Sequence, residues 1–256
     1  MALQNPTIGS GELWFAEFTD PDNYVTGGET YIGNTTSFTI STDNETMDHF
    51  DTDHGFKEKD ESITIRRNYT AAMTTDNMSQ ANLRLFFSGK NRTLSSSAVP
   101  SGTQTIAATK GLTYQIGASV TLPAGLRKLT SATLAKGVTP LVLDTDYTID
   151  LALGRVTFLA TGSVITNGDS VTVSYVSPAQ SRRNMTAGKD AIAGALRFIS
   201  YNPQGTKYDY YMPYVKISPN GDLSLKGDDW LNLTYNVEIM KADIYDSAIY
   251  IDGRPA

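Results

Sequence analysis

Apolar and polar side chains alternate along three segments of this chain. Within residues 228–241 the apolar side chains of Leu231, Leu233, Tyr235, Val237 and Ile239 alternate with polar ones. The apolar rows of the other two segments, residues 36–43 and 61–69, contain Phe38, Ile40, Ile63 and Ile65. A period of two is typical of a strand with one buried face. The three segments therefore predict half-buried β-strands.

The polar rows of these strands are unusual, because they carry small neutral or acidic side chains rather than Lys, Glu and Arg. Their ten members are Ser37, Thr39, Ser41, Asp43, Ser62, Thr64, Asn232, Thr234, Asn236 and Glu238. Arg66 interrupts the row, and Asp43 or Glu238 is its predicted partner. Such a face suits a wall past which something slides. A plain β-sandwich with a Thr-rich outer surface explains the pattern equally well.

The remaining sequence predicts a mainly β chain with one helix. Strands are predicted over 11–18, 192–201 and 208–217, and Asn220-Gly221 predicts a hairpin turn before the last strand. The helix is predicted over 77–88, with Asp76 or Asn77 as its N-cap and an apolar stripe that lies across a sheet.

A charged segment, Asn44–Glu61, separates two of the predicted strands and is predicted as a long exposed loop or hairpin. Its predicted subunit-contact residues are Asp48, His49, Asp51, Asp53, His54, Lys57 and Lys59. The two histidines and their neighbouring carboxylates are also candidate metal ligands. Their spacing matches no ligand signature, so contact with another subunit is the preferred interpretation and no metal is predicted.

Two Ser-, Pro- and Gly-containing stretches, residues 90–104 and 177–188, are predicted linkers. Six short predicted strands lie between them. This arrangement predicts an inserted β domain over residues 91–186, within a parent domain formed by 1–90 and 187–256. A single large sandwich with long loops is the alternative.

Composition limits the functions that remain. The 256 residues carry a net charge of -6 and include no cysteine, which excludes disulfides and thiolate metal sites. An acidic chain is poorly suited to gripping nucleic acid through its phosphates. No signal peptide or membrane span is predicted, so we expect synthesis in a cytoplasm and no membrane partner. No nucleophile motif or phosphate loop occurs, and neither an enzyme nor a cofactor is expected.

The order of the predicted elements resembles the major tail tube protein of long-tailed (siphophage-type) bacteriophages. The resemblance rests on an opening strand, a strand pair around the charged segment, one helix, an insertion, and a closing strand over 228–241 followed by an arm. It covers residues 1–90 and 187–256 and depends on layout rather than on a diagnostic motif.

The resemblance implies a two-sheet β-sandwich with a flanking helix. Six copies would form a ring, and stacked rings would form the virion tail tube, assembled in the host cytoplasm, through which the genome is ejected. The ten polar positions would face the lumen. The charged segment would reach the adjacent ring, and the arms Met1–Gly9 and Ile244–Ala256 would also reach neighbours.

Further partners implied by the resemblance are the tape measure protein and, transiently, genomic DNA in the lumen, with tail terminator and distal tail proteins at the ends. The insert resembles small immunoglobulin-like β modules of virion surfaces. Two other functions stay open. One is a tail terminator or head–tail joining protein. The other is a carbohydrate-binding or adhesive β module, with a sugar-stacking strip of Tyr208, Tyr210, Tyr211 and Tyr214.

Overall fold

A computed structural model describes residues 5–53 and 55–254, so His54 and the outermost residues of both predicted arms lie outside the described residues. The chain is mainly β, with one short helix. The helix α1 is Gln80–Phe86. The strands are β1 Gly11–Asp20, β2 Val25–Thr26, β3 Thr30–Tyr31, β4 Thr35–Asp51, β5 Glu58–Thr75, β6 Lys90–Ser96, β7 Val99–Ala108, β8 Thr113–Gln115, β9 Ser131–Lys136, β10 Thr139–Pro140, β11 Tyr147–Asp150, β12 Arg155–Phe158, β13 Asp169–Ser177, β14 Gln180–Thr186, β15 Ile192–Ser200, β16 Tyr208–Pro219, β17 Leu233–Met240 and β18 Tyr250–Gly253.

The chain divides into two compact units. The first consists of the residues up to Arg92 together with those from Met185 onwards, and the second is Thr93–Asn184. The division falls within two residues of the boundaries predicted from the sequence. The two stretches predicted as linkers lie at the junctions between the units, but they also form strands, because they contain β6, β14 and most of β7, and β6 pairs with β14. Pairing satisfies the backbone hydrogen-bonding groups of these strands although neither strand has an apolar face. Their polar sequences therefore lack the alternation from which a strand is predicted.

The first unit contains a nine-stranded sheet. Its order is β2-β1-β15-β16-β17-β5-β4, with β3 paired to β1 and β18 paired to β16. Hydrogen bonds join all these strands, so the predicted two separate sheets are one. The sheet curls on itself, since Phe38 of β4 stacks on Phe198 of β15 with ring centroids 5.8 Å apart. This curling encloses a core that includes Leu13, Met73 and Tyr235.

Helix α1 is shorter than predicted and begins at a different cap. The Ser79 hydroxyl accepts a hydrogen bond from the backbone N–H of Asn82 at 3.2 Å. The predicted cap Asn77 instead donates its side-chain amide to the carbonyl of Ile32 at 2.9 Å. Leu85 and Phe86 pack into the core, as the predicted apolar stripe requires.

The last long strand is also shorter than predicted. β17 begins at Leu233, which pairs with Thr75, the final residue of β5. Residues 228–232 therefore have no neighbouring strand, and Leu231 is exposed rather than part of a buried row. Asn220 and Gly221 open a loop that runs to residue 232 and do not form a two-residue turn.

The second unit has its own core. A four-stranded sheet, β10-β9-β13-β7, and a three-stranded sheet, β11-β12-β8, both contribute to it. Val171 and Val173 come from the first of these sheets, and Val156 and Phe158 from the second. All four side chains are fully buried.

Candidate functional site

The hairpin formed by β4 and β5 extends beyond the core of the first unit. The two strands contain 17 and 18 residues. Every described side chain between Ser41 and Asn68 is exposed. We call Asn44–Arg67 the outer hairpin, and it contains the charged segment that the sequence predicts as a loop or hairpin. It is a paired hairpin along most of its length, with register shifts at Glu45/Thr46 and His49/Phe50.

Large apolar side chains are exposed along the outer hairpin. Met47 is 63% exposed and Phe56 is 73% exposed. Phe50, Ile63 and Ile65 are also exposed, so the predicted buried row at Ile63 and Ile65 is wrong for the single chain. Grouped exposed apolar side chains of this kind are typical of surfaces that contact another protein.

Ion pairs cross the outer hairpin between its two strands. Asp48 accepts hydrogen bonds from Lys59 Nζ and Ser62 Oγ, both at 2.7 Å, and these bonds hold the pKa of its carboxyl below the usual value. Arg66 pairs with Glu45 at 3.2 Å, so the predicted pairing with Asp43 or Glu238 is wrong.

His49 contacts a carboxylate that the sequence analysis did not single out. Its Nδ1 lies 2.6 Å from Asp60 Oδ1, and this bond lowers the pKa of Asp60. Among the described residues, no three His, Cys, Asp or Glu side chains are placed to hold a metal ion. Within the same residues, Asp51, Asp53 and Lys57 make no ion pair, although the Asp53 N–H donates to Asp51 Oδ1 at 2.9 Å.

Strand register defines a polar face of the sheet in the first unit. Residues directly opposite in neighbouring antiparallel strands share a face. The rows across β4, β5, β17 and β16 are Ser37–Thr74–Thr234, Thr39–Ala72–Asn236–Ser218, Ser41–Thr70–Glu238–Lys216 and Asp43–Asn68. Seven of the ten predicted positions therefore lie together on this polar face. Asn232 lies in the preceding loop.

Ser62 and Thr64 lie on the opposite face from the other predicted positions, because β5 contains a bulge. Glu45 is opposite Arg66, but Thr46 is opposite Thr64, which leaves Ile65 as the extra residue. An extra residue reverses which side chains point to each face beyond it. The prediction that these two residues share the row is wrong.

The polar face carries a local hollow and a cation. A hollow of about 420 Å³ is lined by residues that include Ser41, Thr70, Asn236 and Glu238. Lys216 lies directly opposite Glu238 on this face. Lys216 was not among the predicted positions, although its alternation with Val215 and Ile217 in β16 marks it in the sequence.

The four predicted sugar-stacking tyrosines do not form one strip. Tyr210 packs beside Phe198 at the core, whereas Tyr211 lies under the Arg197 guanidinium, with Cζ 4.6 Å from the ring centroid. Tyr214 packs against Phe18 and Tyr24.

Register creates a different aromatic row. It crosses β3, β1, β15, β16 and β18 through Tyr31, Trp14, Arg197, Tyr211 and Tyr250. Its members are far apart in sequence, so local patterns did not reveal it.

Both described chain ends contact the first unit itself. The backbone N–H of Ile8 donates to the carbonyl of Gln204 at 3.1 Å. Near the other end, Arg254 pairs with Asp209 at 2.8 Å and β18 pairs with β16. The reach of the arms to neighbouring subunits stays a prediction. None of the helices among the described residues is long and apolar enough to span a membrane.

A protein-family model described as "Protein of unknown function UCP028589" matches residues 6–247. The chain belongs to this family. The match includes the whole second unit, so UCP028589 covers both units rather than the parent domain alone. A search of curated proteins found no match.

Proposed function

We propose that this UCP028589 member is a structural virion protein that forms hexameric rings, which stack into the tail tube of a long-tailed bacteriophage. The tube is the conduit for DNA ejection. The outer hairpin carries the proposal, because a lone subunit gains nothing from exposing Met47, Phe50, Phe56, Ile63 and Ile65 to water. Contact with another copy would bury these side chains.

The polar face supports a role as the lining of the tube. Ser, Thr and Asn side chains give a polyanion no cation to hold, and Glu238 and Asp43 repel it. On this face Lys216 lies directly opposite Glu238, and the negative charge of Glu238 offsets the positive charge of Lys216.

The partners follow from the same proposal. Each copy would bind its neighbours in the ring and in the adjacent rings. The tape measure protein and then the genome would occupy the lumen, and tail terminator and distal tail proteins would close the ends. The protein would be located in the virion tail after assembly in the host cytoplasm.

Electron microscopy of the concentrated protein tests this function. We expect hollow tubes built from stacked rings. Single rings that never stack would favour a tail terminator or head–tail joining protein, and monomers at every concentration would contradict both.

A variant pair tests the outer hairpin directly. Met47→Asp with Ile63→Asp places two charges on the hairpin and should leave a folded monomer. The control Val138→Asp changes a side chain that is 99% exposed in the second unit, and it should still assemble.

A lysine scan tests the polar face. Thr234→Lys and Asn236→Lys should slow genome ejection and make its rate depend on salt, because each adds a cation that holds phosphate. Thr103→Lys, at an exposed position of the second unit, should have no effect. Unchanged ejection in the first two variants would contradict a lumen lined by this face.

The aromatic row favours a second candidate, a carbohydrate-binding or adhesive β module. Trp14 and Tyr31 lie with ring centroids 5.2 Å apart, and Tyr31 is exposed. Exposed aromatic rings can stack on sugar rings, and they are also enriched at protein interfaces. A glycan array should show binding that Tyr31→Ala abolishes if this candidate is correct.

A further inference from the structure

Charge is divided unequally between the two units. The second unit contains seven Lys and Arg, four Asp and no Glu, which gives a net charge of +3. The first unit contains 14 Lys and Arg against 23 Asp and Glu, which gives a net charge of -9. Opposite charges on separate parts of one chain favour pairing of unlike surfaces when copies associate.

Four cations of the second unit gather at one end, around Gln115. Arg127 Nη1 donates to Gln115 Oε1 at 3.1 Å and also to the Leu153 carbonyl. Arg155 lies directly opposite Gln115 in the pairing of β12 with β8.

The other two cations join the same end through backbone contacts. The Lys128 N–H donates to the Ala152 carbonyl at 2.8 Å, and Arg182 Nη2 donates to the Gly125 carbonyl at 2.7 Å. We call Arg127, Lys128, Arg155 and Arg182 the cationic end.

The frame beneath the cationic end is fixed. Gln115 Nε2 lies within hydrogen-bond distance of the carbonyls of Leu126, Leu153 and Gly154, at 3.0, 3.0 and 2.9 Å. Gly125 and Gly154 both have positive φ, and a Cβ at either would lie 2.5 Å or less from a neighbouring atom. Such close packing leaves the backbone frame little freedom, and the Arg127 and Arg182 guanidinium groups are hydrogen-bonded to it before any partner arrives.

No acidic side chain neutralises the cationic end among the described residues. The second unit's ion pair joins Lys136 to Asp169, and none is formed by the four cations. Asp150 is the acid nearest in sequence to Arg155, and its Oδ1 accepts the N–H of Leu153 at 2.8 Å.

The outer edge of the hairpin has the complementary charge. Residues 35–53 contain no Lys or Arg, and their five acids are Asp43, Glu45, Asp48, Asp51 and Asp53. β4 is the last strand of its sheet, so within residues 5–53 and 55–254 one side of its backbone has no partner strand. Glu45 and Asp48 are paired with β5, which leaves three carboxylates without a cation among the described residues.

We propose that the acidic β4 edge of one copy, at Asp51 and Asp53 near the end of that strand, docks on the cationic end of the second unit of another copy. This inference rests on the proposed self-association, and it names the surface that receives the hairpin. Charge complementarity selects this partner, since the cationic end concentrates positive charge that its own unit leaves unneutralised.

Because the chain has no cysteine, thiol cross-linking can test the contact in the full-length protein. A Lys128→Cys chain is mixed with an affinity-tagged Asp51→Cys chain and a short bis-maleimide. Docking raises the effective concentration of the paired thiols to roughly millimolar, so the cross-linked heterodimer should form about a thousandfold faster than by chance at micromolar protein. The matched control Lys110→Cys lies at the other end of the second unit, where Lys110 N–H donates to Asn167 Oδ1, and should give only the chance rate.

Charge reversal separates a specific contact from proximity. Adding Arg155→Glu to the Lys128→Cys chain should reduce cross-linking about fivefold, and adding Asp53→Lys to the other chain should restore it. Equal rates for the Lys128 and Lys110 positions would overturn the proposal. A single chain that carries both Lys128→Cys and Asp51→Cys and cross-links internally, when the mixed chains do not cross-link, would also overturn it.

Microscopy of the same samples distinguishes the two proposals. Tubes without the specific cross-link would refute this contact and leave the tail tube function standing. The specific cross-link without tubes would support the contact and count against the tail tube function.

Discussion

The junction between helix α1 and the sheet depends on one buried amide. Asn82 is 2% exposed, and its Nδ2 donates to the carbonyls of Ile32 at 2.6 Å and Asn77 at 2.8 Å. Asn82→Asp keeps the shape of the side chain and removes both donors. It also places a carboxylate against two carbonyl oxygens.

The cost of this change follows from the two lost bonds. The Ile32 carbonyl still accepts a hydrogen bond from Asn77, so removing the bond from Asn82 to it costs about 1 kcal/mol. Removing the bond to the Asn77 carbonyl costs about 2 kcal/mol, because this part-buried acceptor loses its side-chain donor. The free energy of unfolding of the first unit should therefore fall by about 3 kcal/mol before charge repulsion is added. For a unit of this size that lowers Tm by about 6–12 °C.

Urea unfolding followed by tryptophan fluorescence measures the first unit alone, because both tryptophans, Trp14 and Trp230, belong to it. The matched control is Asn77→Asp, which removes one donor to Ile32 while Asn82 still donates to it. The control should cost about 1 kcal/mol. If Asn82→Asp lowers the free energy of unfolding no more than the control does, the hydrogen-bond reasoning is wrong.

Tyr235→Phe should lower the free energy of unfolding by about 1 kcal/mol, since it removes a buried hydrogen bond. Burial also raises the pKa of Tyr235 above 10.0, so the stability that the neutral phenol contributes should be fully present below pH 10 and fall as the pH rises further. If the free energy of unfolding of the Phe variant falls with pH as steeply as that of the wild type above pH 10, this reasoning is wrong. Asp209→Asn should accelerate amide hydrogen exchange in β18, because the bond from Arg254 that lowers the pKa of Asp209 also anchors that strand. Because the pKa of Asp209 is lowered, the protection of β18 in the wild-type protein should be present above pH 3.8 and be lost as the pH falls below it. If neither Asp209→Asn nor acidification changes the exchange rate of β18, the ion pair does not anchor this strand. Gly33→Ala should cost about 2 kcal/mol or more, because its φ is +102° and the new Cβ would lie 2.2 Å from a side-chain nitrogen, whereas Gly221→Ala, at φ +77° in open space, should cost about 1 kcal/mol in the same urea assay.

Local alternation predicted the strands that border the core. Strands were predicted where β15 and β16 occur, and the apolar row of β17 was visible in the sequence, with Leu233, Tyr235 and Val237 buried as predicted. The core-facing residues of α1 were visible for the same reason. When successive side chains of a strand point in turn to a core and to water, apolar and polar residues alternate, so a sequence window of about ten residues is enough to detect the strand.

Several features of the candidate surfaces were decided only by the tertiary structure. The bulge at Ile65 moves Ser62 and Thr64 to the opposite face, and nothing in the alternation of β5 marks it. The pairing of β6 with β14 turns two polar segments into strands.

The cap of α1 shows the same limit. Asn77 and Ser79 are both good capping residues, but Asn77 donates its side-chain amide to the Ile32 carbonyl, 45 positions away, and Ser79 caps the helix. The chain's own composition determined that it is an acidic, cysteine-free, mainly β protein with a small apolar helix face. The faces, pairings and caps depended on residues brought together from distant positions, because a backbone group is satisfied by whatever lies beside it in space rather than in sequence.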